Sequence, residues 1–524
     1  MPDYLKTLPI LLFLATATFA FAKSAACSVA QTSADYSRRR NLWLTVTVVV
    51  FLANSFWIYI VVVGAILLIA TRKEPNKLAL FFVLLFAVPP IPAEIGGLGI
   101  VNFLFVIDYL RLIALTVLLP AFLYLRKQKD TEPFGSNLAD KLLAGYLLLQ
   151  LGLILEVSTL TNAVRVGVFY PFLGIFLPYY VASRSMRTLS DFRGALTAFV
   201  LAALILSVVG LFEFVRHWLL YHPLENTLGI NWKLSRYLAR GDELRATAST
   251  GQPIPLGFAI AVAMGFYVYL KKSVADTRKW NFGMALLVGG LISSLSRGPW
   301  VGAAVMLLLF LVTNPRPMRR LIRVLLTGAL VAPGILLSPA GDKVLSYLPW
   351  IGTVETSTID FRAQLLEYSI NVILRNPFFG APDYINDVEL QDLATGTGFI
   401  DIVNSYVGIG MAQGLVGLSL FLGVFLAVLL GVFKSMRRMP DKDSESYLLG
   451  QALFAVLVGI LVTIGTVSSI SIIPVVYWAV AGLGVAYVRM SKSREVLVTD
   501  NDHPRIGAGA ARPQFQGAGR LDTA

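Results

Sequence analysis

The chain has 524 residues, of which 56% are hydrophobic and 14% charged, and its mean hydropathy is +0.70. A soluble domain carries about 25% charged residues and cannot hide this much apolar surface, so the composition excludes a soluble enzyme and describes a protein built for lipid. The net charge of +13 comes from bases set in short groups between apolar runs, as in cytoplasmic anchors rather than a nucleic-acid face, and one Cys with three His excludes a disulfide framework and a dense set of metal ligands.

The first segment, 1–41, holds a lysine, an apolar stretch ending in Ala20-Phe21-Ala22, and the basic triplet Arg38-Arg39-Arg40, and reads as a signal-like segment or a first span. Residues 42–70 read either as one long span or as a hairpin of two short ones turning at Asn54-Ser55, and the three arginines favour the hairpin, which keeps them on the inner side. Further apolar runs follow at 78–91, 102–125, 141–157, 163–182, 195–215, 253–270, 281–297, 299–313, 321–338, 404–433, 447–466 and 470–488. Each approaches the roughly 20 residues a span needs, so the expected fold is all-α: a polytopic membrane domain over 42–490 with about 12–14 transmembrane helices. No repeat at a fixed period relates the two halves, which disfavours a carrier.

Orientation follows from the bases. Arg72, Lys73, Lys77, Arg126, Lys127, Lys129, Arg184 to Arg193, Lys271 to Lys279, Arg316 to Arg323 and Lys434 to Lys442 fall on one side, expected to be the cytoplasm of a bacterial inner membrane. Two longer loops, about 216–252 and 339–403, then face outward, and 491–524 reads as a disordered cytoplasmic tail.

Chemistry is expected where spans meet the outer face. Ser293-Ser294-Leu295-Ser296-Arg297-Gly298-Pro299-Trp300 lies between two spans, with Pro299 suited to a first helical turn and Gly298 to a tight bend. A guanidinium at Arg297 is placed either to clamp a diphosphate by paired charge-assisted hydrogen bonds or to snorkel while capping the preceding helix. In the second loop, a helical run begins at Asp360-Phe361-Arg362 and closes at Arg375-Asn376-Pro377-Phe378-Phe379-Gly380. Asp401-Ile402-Val403-Asn404-Ser405-Tyr406 opens the next span, whose Gly408, Gly410, Gly414 and Gly417 suit close helix packing. Asp401, just ahead of that span, reads as a helix cap.

Other polar residues have blander expectations. Asp108 and Arg111 share a helix face and neutralise each other. Arg165 either reaches a lipid phosphate or snorkels, and Glu156 and Glu213 lie at the interface. His217 and His222 read as part of an aromatic belt in preference to a base, and Asp342, Glu355, Asp383, Asp387, Glu389 and Asp392 as a solvated face in preference to sugar contacts.

Taken together, Ser296, Arg297, Gly298, Trp300, Arg362, Asn376, Pro377, Gly380, Asn404, Tyr406, Gly414 and Gly417 resemble the O-antigen ligase and polysaccharide polymerase family, over about 250–430. Arg245, ahead of Gln252-Pro253, is similar to a further family feature. The resemblance implies multi-span glycosyltransferases that act on undecaprenyl-pyrophosphate-linked glycan at the periplasmic face, with membrane lipid around them and no cofactor or metal. It implies Arg297 and Arg362 as diphosphate contacts, with Asp401 nearest the position of the family's base. Arg245, Ser296, Asn404, Tyr406 and Arg165 are the expected substrate-binding residues. Ligases keep a His where this chain has Val403, and valine cannot take a proton, so a polymerase that joins lipid-linked repeats into O-antigen, capsule or exopolysaccharide is the expected activity, together with a chain-length regulator. The alternatives are an O-antigen ligase and, of another class, a polysaccharide-lipid transporter or flippase.

Overall fold

The computed structural model describes residues 2–30, 32–97, 99, 102–230, 238–274, 276–313, 322, 326, 357–391 and 402–502. In chain order the principal helices are α1 Asp3–Val29, α2 Ser33–Leu52, α3 Phe56–Arg72, α4 Lys77–Leu84, α5 Tyr109–Lys127, α6 Leu138–Val157, α7 Leu160–Ser185, α8 Leu189–Arg216 and α9 Leu224–Leu228. They continue with α10 Pro253–Leu270, α11 Thr277–Ser293, α12 Arg297–Val312, α13 Ser357–Arg375, α14 Val388–Gln391, α15 Ser405–Arg438, α16 Glu445–Ile464 and α17 Ile472–Asp502. Among the described residues nine helices are long and apolar enough to cross a membrane (α1, α5, α6, α7, α8, α10, α15, α16 and α17), with α3 and α12 as shorter apolar helices. The chain is an all-α polytopic membrane protein. The expected run at 321–338 lies outside the described residues, apart from two isolated helical positions. At the C-terminus, α17 carries helix past Ser491, where the polar composition alone suggested that order ends.

Helix starts are set by short polar side chains. Thr188 and Asp191 form a reciprocal capping box at the start of α8, and Asn76, Asn137 and Ser444 each accept a first-turn amide of the helix that follows. Breaks have local causes too. α5 and α7 pass through π-helical stretches at Ala114–Leu118, Ala163–Phe169 and Phe172–Phe176. These flank Pro120, Pro171 and Pro178, whose missing amides release carbonyls from the regular ladder.

Two spans at the centre organise the rest: α8 is 83% buried and α10 is 89% buried, whereas α6 is 22% buried and sits at the periphery. α8 packs against α1, α4, α10 and α11, α12 packs against α16, α17 against α7 and α15 against α6.

The apolar run at 78–91 departs from its expected form. Its helix stops at Leu84, and the chain continues to Ile91 without helix ahead of Pro89, Pro90 and Pro92, buried along its length. Unwound backbone at this depth requires internal partners. The Tyr109 hydroxyl donates to the Leu84 carbonyl at 2.9 Å and the Ser249 hydroxyl to the Phe86 carbonyl at 2.6 Å. The next run also differs: 102–125 begins as a strand, Phe103–Ile107, paired antiparallel with Ala93–Gly96, and helix starts only at Tyr109. Asp108 caps that helix, accepting the Arg111 amide at 2.8 Å and pairing with the Arg111 guanidinium at 2.6 Å.

The loops sort into two ends. At one end Arg38 pairs with Glu74 at 2.9 Å, Asn76 donates to the Asp191 carbonyl at 3.0 Å, and Arg193 pairs with Glu445 at 3.2 Å. Lys272 donates there to the Asp443 carbonyl at 2.6 Å, and a buried Asp140 is held by Arg184 and by the Tyr179 hydroxyl. All of these belong to the basic loops. The other end gathers the segments around Phe86, Glu213, Ser249, Leu295 and Val467.

At that other end the Asn-Pro-Phe-Phe-Gly stretch has a specific structural task. α15 is interrupted at Gly414 (φ 63°, ψ −168°), and the freed amides of Leu415 and Val416 donate to the carbonyls of Pro377 and Phe378 at 2.8 and 3.1 Å. The Met411 carbonyl accepts the Ala381 amide at 2.7 Å. A Cβ on Gly414 would lie 2.3 Å from the Phe378 carbonyl carbon, and one on Gly380 would lie 2.5 Å from the Gly414 nitrogen. These glycines therefore dock α13 onto the break, and Gly410 also faces α13, through Ile373, rather than another span.

Gly414→Ala combines a backbone conformation open essentially to glycine with a clash against backbone, a strain of about 1–3 kcal/mol or more. The variant is expected to lower the thermal unfolding midpoint of the detergent-solubilised protein, measured by intrinsic fluorescence, while Gly408→Ala, whose Cβ would meet only an Ile402 methyl at 3.5 Å, leaves it nearly unchanged.

Candidate functional site

The Ser-Arg-Gly turn joins α11 to α12 and is built from internal hydrogen bonds. Ser293 and Ser294 return their hydroxyls to the carbonyls of Gly290 and Leu291 at 2.8 and 2.7 Å, which ends α11. Leu295, not Gly298, takes the left-handed conformation that reverses the chain (φ 44°). Gly298 instead permits close approach: a Cβ there would stand 2.5 Å from the Thr466 hydroxyl and 2.7 Å from Val467. Trp300 fixes the far side by donating its indole N–H to the Leu291 carbonyl at 2.9 Å. Arg297 opens α12 and is half-buried.

Ser296 holds the position before the helix without capping it with its side chain. Its hydroxyl donates to the Ser294 carbonyl at 3.0 Å and accepts from Arg245 Nη2 at 3.0 Å. Arg245 also reaches the Ser294 carbonyl through Nε at 3.4 Å, and Arg240 donates to the Leu295 carbonyl at 2.6 Å. Of the residues expected from the sequence, Arg245, Ser296 and Arg297 are thus brought together, and Arg240 joins Arg245 in clamping the turn that presents Arg297.

This clamp depends on a residue whose expected role was different. Glu213 is not interfacial: it is fully buried near the end of α8 and accepts the amides of Leu220, Thr247 and Ala248 at 3.0, 3.0 and 2.8 Å. The next amide back, that of Ala246, donates to the Ser293 carbonyl at 3.0 Å. One carboxylate therefore anchors the 245–250 segment, which in turn pairs with the turn. A lone carboxylate in the apolar run from Gly194 to Val215 was the available signal, since an ionisable group at such depth needs partners.

The same segment continues into a cavity of about 590 Å³. Asp108, Arg111, Gln150, Tyr170, Gln252 and Ser471 supply its polar lining, and Phe81, Leu173 and Val475 are among its apolar walls. The Arg111 guanidinium stacks on the Tyr170 ring at 4.2 Å, and burial pushes the Asp108 carboxyl above its ordinary range against the opposing pull of Arg111. Gln150 Oε1 and Ser471 Oγ are buried and find no hydrogen-bond partner among the described residues. Ser471 also holds a left-handed backbone (φ 54°). Two unsatisfied polar atoms beside an ion pair fit the recognition of a hydroxyl-rich ligand.

Several of the remaining expected residues are held by hydrogen bonds of their own. Asn404 is occupied as a helix cap, accepting the amides of Tyr406 and Val407 at 3.0 and 3.3 Å, while the Tyr406 hydroxyl donates to the Leu461 carbonyl at 2.6 Å. Ser405 bonds the Val467 carbonyl at 2.8 Å and the Ser469 hydroxyl at 2.7 Å, tying the start of α15 to the segment that meets Gly298 and reaches the cavity. Arg165 donates to the Phe103 carbonyl at 3.0 Å and to Asn162 at 3.1 Å, and lies over the Phe103 ring. Arg362 is exposed on α13, which packs against α15. Asp401 lies outside the described residues. Val403 packs with the small apolar cluster of Leu365, Val372, Leu390 and Met411. Asp387 and Glu389 are not simply solvated: both pair with Arg375, the former at 2.6 Å. His217 contacts Glu243 at 3.2 Å.

Residues 282–422 match a family model described as O-antigen ligase. That stretch contains the Arg297 turn, α13, the Asn-Pro-Phe-Phe-Gly turn and the Gly414 break, and over these residues the chain is similar to that family. No curated protein matches the chain.

Glu213→Ala leaves three buried amides without an acceptor, each worth about 1–3 kcal/mol. It is expected to lower the unfolding midpoint of the detergent-solubilised protein, measured by intrinsic fluorescence. Glu213→Gln, which keeps one acceptor oxygen and turns the other into a donor facing donors, is expected to recover stability only in part.

Proposed function

We propose that this protein is a glycosyltransferase of the bacterial inner membrane that polymerises undecaprenyl-pyrophosphate-linked oligosaccharide repeats at the periplasmic face, into O-antigen, capsule or exopolysaccharide. The observation that carries the reading is the turn at Ser293–Trp300: a half-buried arginine presented by a rigid, doubly clamped bend within the O-antigen ligase match. The periplasmic assignment rests on the placement of this turn at the end opposite the basic loops.

In this reading the bond between the sugar's anomeric carbon and the diphosphate oxygen breaks while an acceptor hydroxyl attacks that carbon. The negative charge that develops on the departing diphosphate is what the site must stabilise. Arg297 does this as a preorganised cation, held without reorganisation because Arg240, Arg245 and Ser296 already fix the turn. The proton of the acceptor hydroxyl passes to a carboxylate, for which the sequence offers Asp401 and the cavity offers Asp108. Arg362 and Arg165 are assigned in this reading to contacts with the lipid-linked chain.

Polymerisation is preferred to ligation because Val403 occupies the place of the ligase histidine and packs against apolar neighbours. A gene deletion separates the two: a polymerase mutant accumulates single repeats on the carrier lipid, whereas a ligase mutant accumulates finished polymer there. Transport of lipid-linked repeats without chain growth, in vesicles containing the purified protein, would replace both readings by a flippase.

Arg297→Ala is expected to reduce polymer formation by a factor on the order of 10²–10³, and Arg297→Lys by less. Chain length measured on cell-derived glycan at matched protein level tests this; long chains in the alanine variant would remove the assignment of Arg297.

A further inference from the structure

The outer-loop helix α13 has three faces. One is buried: Leu365, Ser369 and Val372 pack toward α14 and α15 with Leu390 and Met411. A second is polar, with Glu367, Asn371 and Arg375 exposed, the latter two bonded to Glu389. The third is apolar and exposed, formed by Leu366 (48% exposed), Ile370 (46%) and Leu374 (68%), spaced i, i+4, i+8. A helix in water has no reason to carry a second apolar stripe beside its core face, and contiguous exposed apolar surface marks a contact.

What covers this stripe is indicated by where it leads. Past Leu374 it continues into Phe378 and Phe379, 66% and 54% exposed, and these lie beside Leu415 because Leu415 and Val416 donate to the carbonyls of Pro377 and Phe378. Leu415 in turn begins the exposed stripe of the transmembrane helix α15, with Leu426 and Leu430 below it. The exposed face of a membrane span touches acyl chains, and three backbone hydrogen bonds fix α13 at the head of that face.

From this continuity we infer that α13 is an interfacial helix, with its Leu366-Ile370-Leu374 stripe and Phe378-Phe379 set into the acyl region of the outer membrane leaflet and its Glu367-Asn371-Arg375 face turned to the headgroups and water. The geometry is that of an amphipathic helix lying in the interface plane. Because α13 is pinned at Gly414, the helix holds the segment that carries Arg362 at a fixed height relative to the bilayer. The inference does not depend on the glycosyl-transfer reading.

Cys27 is the only cysteine in the chain, so Cys27→Ser provides a background for spin labels at single positions. With nitroxides at Ile370→Cys, Leu374→Cys and Glu367→Cys in proteoliposomes, power-saturation EPR is expected to find the first two reached by oxygen in preference to a water-soluble nickel chelate, and the third the reverse. Preference for nickel at 370 and 374 would place the stripe in water and overturn the inference. Protection from both reagents would mean that protein covers it and would equally overturn it. For the unsubstituted protein, a phospholipid carrying a diazirine near the carbonyl end of its acyl chain is expected to label the peptide spanning 366–379. Labelling of Leu426 and Leu430 without that peptide would refute the inference independently of any perturbation by the labels.

Discussion

A carboxylate buried among helices must be fully hydrogen-bonded or it destabilises the fold, and Glu213 meets that demand with three main-chain amides rather than with a cation. The choice of partners has a structural consequence. Amides of Leu220, Thr247 and Ala248 can converge on one side chain only if the long connection between α8 and α10 folds back over the end of α8. That return brings Arg240 and Arg245 onto the Ser293–Trp300 turn and Thr250 to Gln252 into the cavity wall. The turn with Arg297 and the cavity with the Asp108–Arg111 pair are therefore two sides of one strand of irregular backbone, held by one side chain.

The same economy appears where backbone leaves helical form. The unwound stretch after Leu84 is satisfied by Tyr109 and Ser249, and the break at Gly414 by the carbonyls of Pro377 and Phe378. In each case a polar group from a distant part of the chain closes a carbonyl or amide that lipid would leave unpaired. Breaks of this kind occur at the end that carries the clamped turn, whereas the basic end is held mainly by ion pairs such as Arg193–Glu445 and Arg38–Glu74. Irregular main chain thus supplies shape and hydrogen-bonding capacity at one end, and charge supplies cohesion at the other.

Much of the site was legible as a set of residue types. Arginine next to Gly-Pro-Trp between two spans marked the turn, and the helix beginning near Arg362 and closing at the Asn-Pro-Phe-Phe-Gly stretch was readable from its pattern. The roles within those motifs were less so. Gly298 suggested the bend, yet Leu295 makes it and Gly298 serves contact with Thr466. Gly414 suggested helix packing, yet it admits a strand of backbone. Asn404 suggested ligand contact and is used as a cap, and Glu213 suggested an interfacial acid and is a buried anchor. In each instance the residue type limits what is possible; for Gly298, Gly414 and Glu213 the neighbour that selects among the possibilities lies tens of positions away or more, whereas Asn404 is taken up by amides two and three residues on.

The amino-acid sequence by itself determined the solvent, the helical class, the alternation of basic and non-basic loops and the identity of the motif residues, because these follow from local composition and periodicity. Only the tertiary structure decided which amides Glu213 gathers, that 85–91 unwinds inside the protein rather than continuing the helix, and that Asp108, Arg111, Gln150 and Ser471 share a cavity. Those outcomes depend on hydrogen bonds between segments far apart in the chain, and a buried polar group takes whichever partner the packing brings to it.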